Sequence, residues 1–112
     1  MMRQSHTAVI ERNITWQGPF ETEPYEAAWA SEAIFFVRTL RASPTLGGSV
    51  ANVQISPDGI RWCDEGTVFS LSAKSDGVTF GKVLNFGSFL RLAGDLPEGA
   101  TMTVIVTLSF KE

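Results

Sequence analysis

The sequence predicts an all-β fold, a single-domain antiparallel β-sandwich of jelly-roll type with about eight or nine strands. Short runs of β-branched, aromatic and alternating apolar residues recur along the whole chain. Glycine, proline and aspartate separate these runs, as expected for turns. No segment combines the length and the caps of a convincing helix. A single open sheet is the weaker alternative because it would leave an apolar face in water.

Composition narrows the class of protein. With 112 residues, 44% of them apolar and 19% charged, the chain fits one globular domain better than a disordered segment. The net charge of −3 and the lack of a lysine or arginine run argue against nucleic acid as a partner. No apolar run approaches the roughly 18 residues of a membrane span, and no signal-peptide pattern opens the chain. We therefore expect a flexible tail at residues 1–6, a sandwich domain at residues 7–112, no membrane partner, and a cytoplasmic or particle-associated location.

The N-terminal half predicts two strands joined by an acidic connection. Residues 7–14 read as the first strand. Residues 20–29 are rich in glutamate, and Pro24 keeps them out of a central strand because it cannot donate to the ladder. A short helix at residues 26–33 is rejected because it lacks a clean cap. Residues 33–40 are aromatic and β-branched, which predicts a strand with both faces largely covered.

Residues 51–64 predict a β-hairpin around which the other strands are added. Ala51, Val53 and Ile55 alternate with polar residues, as in a half-buried strand. Ser56-Pro57-Asp58-Gly59 then supplies turn chemistry: a preset φ, a side chain that bonds its own backbone, and a glycine free to take positive φ. The return strand is expected to start at Ile60 and to close near residues 64–66.

The register of this hairpin decides the environment of Trp62. If the loop is Ser56 to Gly59, Val53 lies opposite Trp62 and the indole belongs to the core. If the loop is Pro57 to Gly59 with a glycine bulge, Trp62 stands beside Asn52 and Gln54 on the polar face. The apolar pairing favours the first register, and the second would make Trp62 a ligand or partner contact.

The C-terminal half predicts four further strands, at residues 67–72, 78–85, 88–93 and 100–110. The last strand has the cleanest alternation, with hydroxyl residues on its other face. A slip of one residue would expose every large apolar side chain of its inner face, so this register is firmly set. These inward side chains are Met102, Val104, Val106, Leu108 and Phe110. The threonine- and serine-rich face is expected to be solvated or to line an interface.

One motif resembles a known family. Val53-Gln54-Ile55-Ser56-Pro57-Asp58-Gly59-Ile60-Arg61-Trp62 resembles the V-x-x-S-x-D-G-x-x-W hairpin of discoidin-like (coagulation factor 5/8 C-type) galactose-binding-like domains. Phe89-Leu90-Arg91-Leu92 resembles the late aromatic-Ile-Arg-Ile strand of the same domains. The resemblance implies a jelly-roll sandwich in a family whose members often bind glycans or lipid head groups. Similar hairpins occur in jelly-roll proteins of phage particles. This chain is shorter than the family and lacks its terminal cysteine pair.

Catalytic chemistry is not expected, and neither is a metal or a cofactor. The one histidine, His6, lies in the predicted tail, so no positioned imidazole is available for nucleophilic catalysis. Cys63 is predicted to be a small buried hydrophobe, because the neighbouring Asp64 and Glu65 would disfavour a reactive thiolate. Zinc has too few ligands, and the acidic groups that could bind calcium sit in turns.

We therefore expect a non-catalytic interaction or assembly module, a structural protein that acts as a homo-oligomer or within a larger, particle-associated protein assembly. The alternative is a carbohydrate-binding module that holds a glycan on surface aromatics. The segment 20–29 is the first choice for a partner contact. The candidate partner- or ligand-contact residues are Trp16, Phe20, Tyr25, Trp29 and Trp62.

Overall fold

The computed structural model describes residues 5–84 and 86–112, and these residues form two antiparallel sheets packed as a β-sandwich. The predicted all-β sandwich is confirmed. A single turn of 3₁₀ helix, Pro44–Leu46, lies in the predicted loop after the fourth strand. The nine strands are β1 Ser5–Gln17, β2 Pro19–Glu21, β3 Tyr25–Glu26, β4 Glu32–Ala42, β5 Val50–Ser56, β6 Cys63–Ser70, β7 Val78–Leu84, β8 Phe89–Asp95 and β9 Thr101–Lys111.

The strand order is that of a jelly roll, in which a long antiparallel hairpin is folded into two sheets. Sheet 1 has the order β1-β9-β4-β7, and sheet 2 has the order β2-β8-β5-β6, with β3 also paired to β8. Strands pair in a nested series: β1 with β9, β2 and β3 with β8, β4 with β7, and β5 with β6. This is one long antiparallel hairpin folded over on itself, which is the jelly-roll arrangement. The β5–β6 hairpin is the tip of that long hairpin.

The core lies between the sheets and is built mainly on β9 and β4. The inward residues of β9 are each at most 1% exposed, as the alternation predicts. On β4, Phe35 and Val37 are fully buried, whereas Ile34 and Phe36 on the opposite face are only half-buried. The expectation that both faces of this strand are largely covered is therefore wrong for the outer face. Burial of each large apolar side chain contributes about 1.5–3 kcal/mol, so β9 is a major source of stability.

β1 is longer than predicted. It begins at Ser5, and His6 pairs with Phe110 in the ladder, so these two residues belong to the sandwich and not to a flexible tail. The physical reason is the length of β9, whose backbone groups up to Lys111 find partners on β1. Residues 1–4 and Asn85, also covered by sequence predictions, lie outside the described residues.

The turn of the β5–β6 hairpin is longer than either predicted loop. Ile55 pairs with Cys63, so residues 57–62 form the turn and neither predicted register is correct. The favoured position of Trp62 in the core opposite Val53 is wrong, because Trp62 lies within this turn. The Ser56 hydroxyl accepts from the Gly59 N–H at 2.8 Å, and the Asp58 carboxylate accepts from the Ile60 and Arg61 N–H groups at 2.9 Å each. The side chains of Ser56 and Asp58 thus bond the N–H groups of residues 59–61, which in a shorter turn would have paired with the backbone of β5. Beyond the turn, β6 extends from Cys63 to Ser70, with a register shift against β5 between Asn52 and Gln54.

Gly94 tests the packing between β8 and its neighbours. A Cβ added at Gly94 would lie 2.5 Å from Phe20 Cζ and 2.8 Å from the Val50 carbonyl oxygen. We expect Gly94→Ala to lower the free energy of unfolding by about 1–3 kcal/mol through overpacking. Gly87→Ala is the matched control because its Cβ would meet no heavy atom within 4 Å. Urea unfolding of both variants measures the difference, and equal stability of the two would contradict the packing described here.

Asp58 makes the hairpin turn sensitive to acid. Its pKa is lowered from 3.8 to about 2, first by the N–H of Arg61, then by the N–H of Ile60, with smaller help from Ser56 and the Arg61 guanidinium. A lowered pKa stabilises the folded state above the unfolded value, and this stabilisation is lost as the pH falls from 3.8 toward about 2. The stability difference between wild type and Asp58→Asn should therefore shrink across that range in urea unfolding. A difference that is constant with pH would show that this carboxylate does not support the turn.

Candidate functional site

The predicted contact residues Trp16 and Phe20 lie in the core, which corrects their assignment to the surface. Their rings stack with centroids 3.9 Å apart, and they are 4% and 8% exposed. Trp16 pairs with the buried Met102 across the β1–β9 ladder, so its side chain points between the sheets. Phe20 lies on β2 at the edge of the other sheet. The two rings close the side of the sandwich where the edges of the two sheets meet.

Trp62 is half-buried and lies on the outer face of sheet 2. The Arg91 guanidinium covers its ring at 4.2 Å from the centroid, a cation–π geometry. Arg91 also donates to Gln54 Oε1 at 2.8 Å and forms an ion pair with Glu21 at 3.0 Å. Gln54 in turn donates to Asp64 at 3.0 Å. This network ties the end of the turn to four strands, β2, β5, β6 and β8, so the Trp62 side chain holds the hairpin tip in place.

Tyr25 and Trp29 lie at one end of the sandwich with His6. Trp29 is 43% exposed, and its ring lies 5.5 Å from that of the buried Phe110. Tyr25 lies 5.0 Å from the same ring, and His6 stacks on it at 5.9 Å. The Tyr25 hydroxyl and His6 Nε2 are 3.5 Å apart. We call these three residues the end cluster. The sequence analysis did not include His6 among the contact residues, although the length of the last strand implied that another strand pairs with its C-terminal end.

Three observations concern groups that could bind a metal or react. Among them, no group of three or more histidine, cysteine or acidic residues could hold a metal ion. Cys63 is exposed, which corrects the prediction that it is buried; its thiol lies 3.7 Å from the Ile55 carbonyl oxygen. Partial burial raises the pKa of Glu11. The hydrogen bond that its carboxylate accepts from the Glu23 N–H at 3.3 Å acts in the opposite direction and is the smaller effect. The negative charge of the Glu23 side chain also raises the pKa of Glu11, as a smaller contribution.

An apolar surface lies on the outer face of sheet 1, where β7 and β4 pair. Phe80 stands opposite Phe36, with ring centroids 6.2 Å apart, and Ile34 is the next outward residue on β4. Val78, Phe80 and Leu84 are 56%, 53% and 60% exposed. We call this surface the β4–β7 face. Lys82 lies on the same side of β7, with its ammonium 6.0 Å from the Phe80 ring centroid. Clusters of exposed apolar side chains are typical of protein interaction sites.

The inner side of β7 explains why its larger residues point outward. The inward positions are Thr79, Gly81 and Val83, and a Cβ at Gly81 would overlap the ring of Phe69 from the opposite sheet. Phe69 therefore occupies the space that an inward side chain would need. A register that buried Phe80 is excluded, and the sequence alone could not reveal this because Phe69 belongs to another strand.

Both edges of sheet 1 are protected against the addition of another strand. The Thr67 hydroxyl donates to the Lys82 carbonyl oxygen on β7 at 3.2 Å. On the other edge, β1 has two register shifts between Val9 and Ile14, and Asn13 adopts φ of 57°. Bulges and capped groups are the usual means of blocking edge-to-edge pairing. Contacts with another protein are thus favoured through the face of this sheet.

Comparison with solved structures identifies similar folds. The "PBSX exported protein XepA" matches with a TM-score of 0.66 at 9% identity over 94% of this chain and 36% of that one. The "SPBc2 prophage-derived protein YomS" matches with a TM-score of 0.61 at 9% identity over 100% of this chain and 96% of that one. The chain thus spans about a third of the length of XepA. At this identity the likeness concerns the fold alone.

The sequence matches no protein-family model and no curated protein. Within the described ranges, no helix has the length and apolar character needed to cross a membrane. The chain therefore shares its fold with XepA and YomS.

Proposed function

We propose that the protein is a non-catalytic association module whose β4–β7 face docks against a second copy of the same chain. The observation that carries this proposal is the exposure of Val78, Phe80 and Leu84, each more than half accessible, on the outward side of one edge strand, where Lys82 stands between Phe80 and Leu84. Covering apolar surface contributes about 25 cal/mol for each Å² removed from water. A second copy supplies the same apolar surface, which a two-fold contact requires.

The contrast between the two outer faces supports this choice of surface. On sheet 2, Arg91, Gln54 and Glu21 satisfy one another and cover Trp62. On sheet 1, the ammonium of Lys82 lies 6.0 Å from the Phe80 ring centroid, and Arg38 at the border is paired with Asp76 at 2.8 Å. The apolar rings of Phe36 and Phe80 are thus left uncovered on this face, with charged groups beside them, and mixed apolar and charged surface is common in protein interfaces.

The structural neighbours support a role within a larger assembly. YomS is described as a prophage-derived protein, and in XepA the matched fold is one part of a longer chain. A sandwich with protected edges and one apolar face is suited to stacking against similar domains. We accordingly place this protein among the accessory, particle-associated proteins of a phage, with homo-oligomerisation as its first level of assembly.

Self-association is tested by light scattering with a surface variant and its control. We expect the wild type to show a mass that rises with concentration in the micromolar to millimolar range, and the pair Phe80→Ser with Leu84→Ser to remain monomeric. The control pair Val68→Ser with Ile60→Ser removes exposed apolar side chains elsewhere, since these residues are 53% and 76% exposed. The control should associate like the wild type. A strictly monomeric wild type, or equal association of both pairs, would overturn the proposal.

Carbohydrate binding is the second candidate, favoured by the end cluster. Trp29 exposes 43% of its surface beside Tyr25 and His6, and an exposed indole beside polar rings can stack on a sugar. A glycan array should show binding that Trp29→Ala removes. Trp62→Ala is the control, because that ring lies under Arg91 and away from the end cluster. Binding that survives Trp29→Ala, or no binding above background, would reject this function.

A further inference from the structure

An open depression of about 390 Å³ lies on the outer face of sheet 1, where β1, β9 and β4 run side by side. Its volume falls within the range of about 300–1,000 Å³ that small-molecule sites occupy. The lining combines one guanidinium with four hydroxyl groups and holds no carboxylate. The lining residues are Thr15, Arg41, Ala42, Ser43, Thr101 and Thr103.

The floor of this depression is a row of side chains across three strands. Thr15 pairs with Thr103 in the β1–β9 ladder, and Thr103 pairs with Arg41 in the β9–β4 ladder. The β4–β9 register shifts between Thr39 and Arg41, so Leu40 is an extra residue in this strand. Thr39 faces the core and Arg41 stands on the outer row, two positions that share one face in a regular strand. The bulge therefore turns the guanidinium toward the two threonines.

The hydroxyl groups of the depression are held in position before any ligand binds. Thr15 Oγ1 and Thr103 Oγ1 are 2.9 Å apart, and Thr103 is only 5% exposed although it points outward. Ser43 Oγ accepts from the Thr101 N–H at 2.9 Å, and the Ser43 N–H donates back to the Thr101 carbonyl oxygen. Each hydroxyl can both donate and accept, so capacity remains for a ligand's own hydroxyls.

Arg41 brings a charge that the described residues leave uncompensated. Arg38, Arg61 and Arg91 form ion pairs with Asp76, Asp58 and Glu21, whereas Arg41 has no ion pair within the described part of the chain. A guanidinium presents a planar fork of donors that matches the two oxygens of a carboxylate or a phosphate. The hydroxyl groups beside it can replace the water that such an anion loses on binding.

We propose that this depression binds an oxyanion group carried on a hydroxyl-rich small molecule, such as a sugar acid or a sugar phosphate. Arg41 holds the carboxylate or phosphate, and Thr15, Ser43 and Thr101 bind the hydroxyl groups of the ring. The site contains no aromatic side chain, so it is distinct from the end cluster, where a sugar would bind by stacking. It also differs from the β4–β7 face in chemistry, since its lining is polar.

Ligand titration of the full chain, followed by NMR chemical shifts, tests the site. The probes are glucuronate, glucose 6-phosphate and glucose, which carry a carboxylate, a phosphate and no anion. We expect a millimolar Kd for at least one anionic probe and binding of glucose that is about tenfold weaker or less, the ratio that loss of a charge-assisted hydrogen bond produces. If glucuronate binds and glucose 6-phosphate does not, the carboxylate is the group recognised. If only glucose 6-phosphate binds, it is the phosphate.

Three variants separate this site from general attraction of anions. Arg41→Gln should weaken the anionic probes about tenfold or more. Arg12→Gln removes the same charge from an exposed position on β1 outside the depression, and it should leave the Kd unchanged. Thr15→Val keeps the charge and removes a hydroxyl, and it should weaken binding several-fold. Equal effects of the two arginine variants, equal affinity for glucose, or no binding of either anionic probe at tens of millimolar would overturn the proposal. Thermal unfolding confirms that each variant is folded.

Discussion

The register of β9 is the constraint on which the rest of the structure depends. This strand lies between β1 and β4, and its inward side chains fill the centre of the core. A shift by one residue would expose Val104, Val106, Leu108 and their neighbours, at a cost of several kcal/mol. The same register sets which residues of β1 and β4 share the outer face. Burial on one side of β9 therefore positions Thr103 between Thr15 and Arg41 on the other side.

Departures from regular geometry create the surfaces that we assign to function. The extra residue Leu40 gives Arg41 its place on the outer face of β4. On β7, Gly81 makes room for Phe69, and the neighbouring Phe80 consequently points into solvent. The shifts in β1 protect one edge of the same sheet. On β4 and β1 the irregular backbone is held in place by a well-packed core, whereas the β4–β7 ladder is regular and the exposure of Phe80 goes with the small residue beside it.

Local sequence patterns were sufficient to predict which residues are buried in the strands whose apolar and polar residues alternate strictly. The inward face of β9 and the fully buried face of β4 follow from period-two patterns, and the turn chemistry at Ser56 to Gly59 lies where the chain reverses. The prediction of the hairpin register was wrong because Asp58 and Ser56 accept hydrogen bonds from backbone N–H groups of the turn. A pattern of apolar residues does not reveal such bonds. The predicted start of β1 was wrong for a similar reason, since the polar residues at the beginning of this strand pair with the backbone of β9.

The candidate sites were harder to predict because they depend on contacts between distant strands. Trp16 and Phe20 have the composition of a binding platform, yet only the meeting of two sheet edges shows that they stack in the core. The exposure of Phe80 depends on Phe69, and the row from Thr15 to Arg41 depends on pairing across about 90 residues of sequence. A single sequence contains these residues but not their juxtaposition.

The two proposed sites share β4, which makes them physically adjacent. Phe36 belongs to the apolar face and Arg41 to the depression, and five residues of strand separate them by about 16 Å. A copy docked on the β4–β7 face therefore places its rim close to the depression without needing to fill it. If the docked copy narrows access to Arg41, ligand and self-association must oppose each other by the same factor, because coupling between two binding equilibria is reciprocal. If it instead adds hydroxyl or cationic groups at the rim, the two equilibria must reinforce each other equally. The sign of that coupling depends on the orientation of the second copy relative to β4.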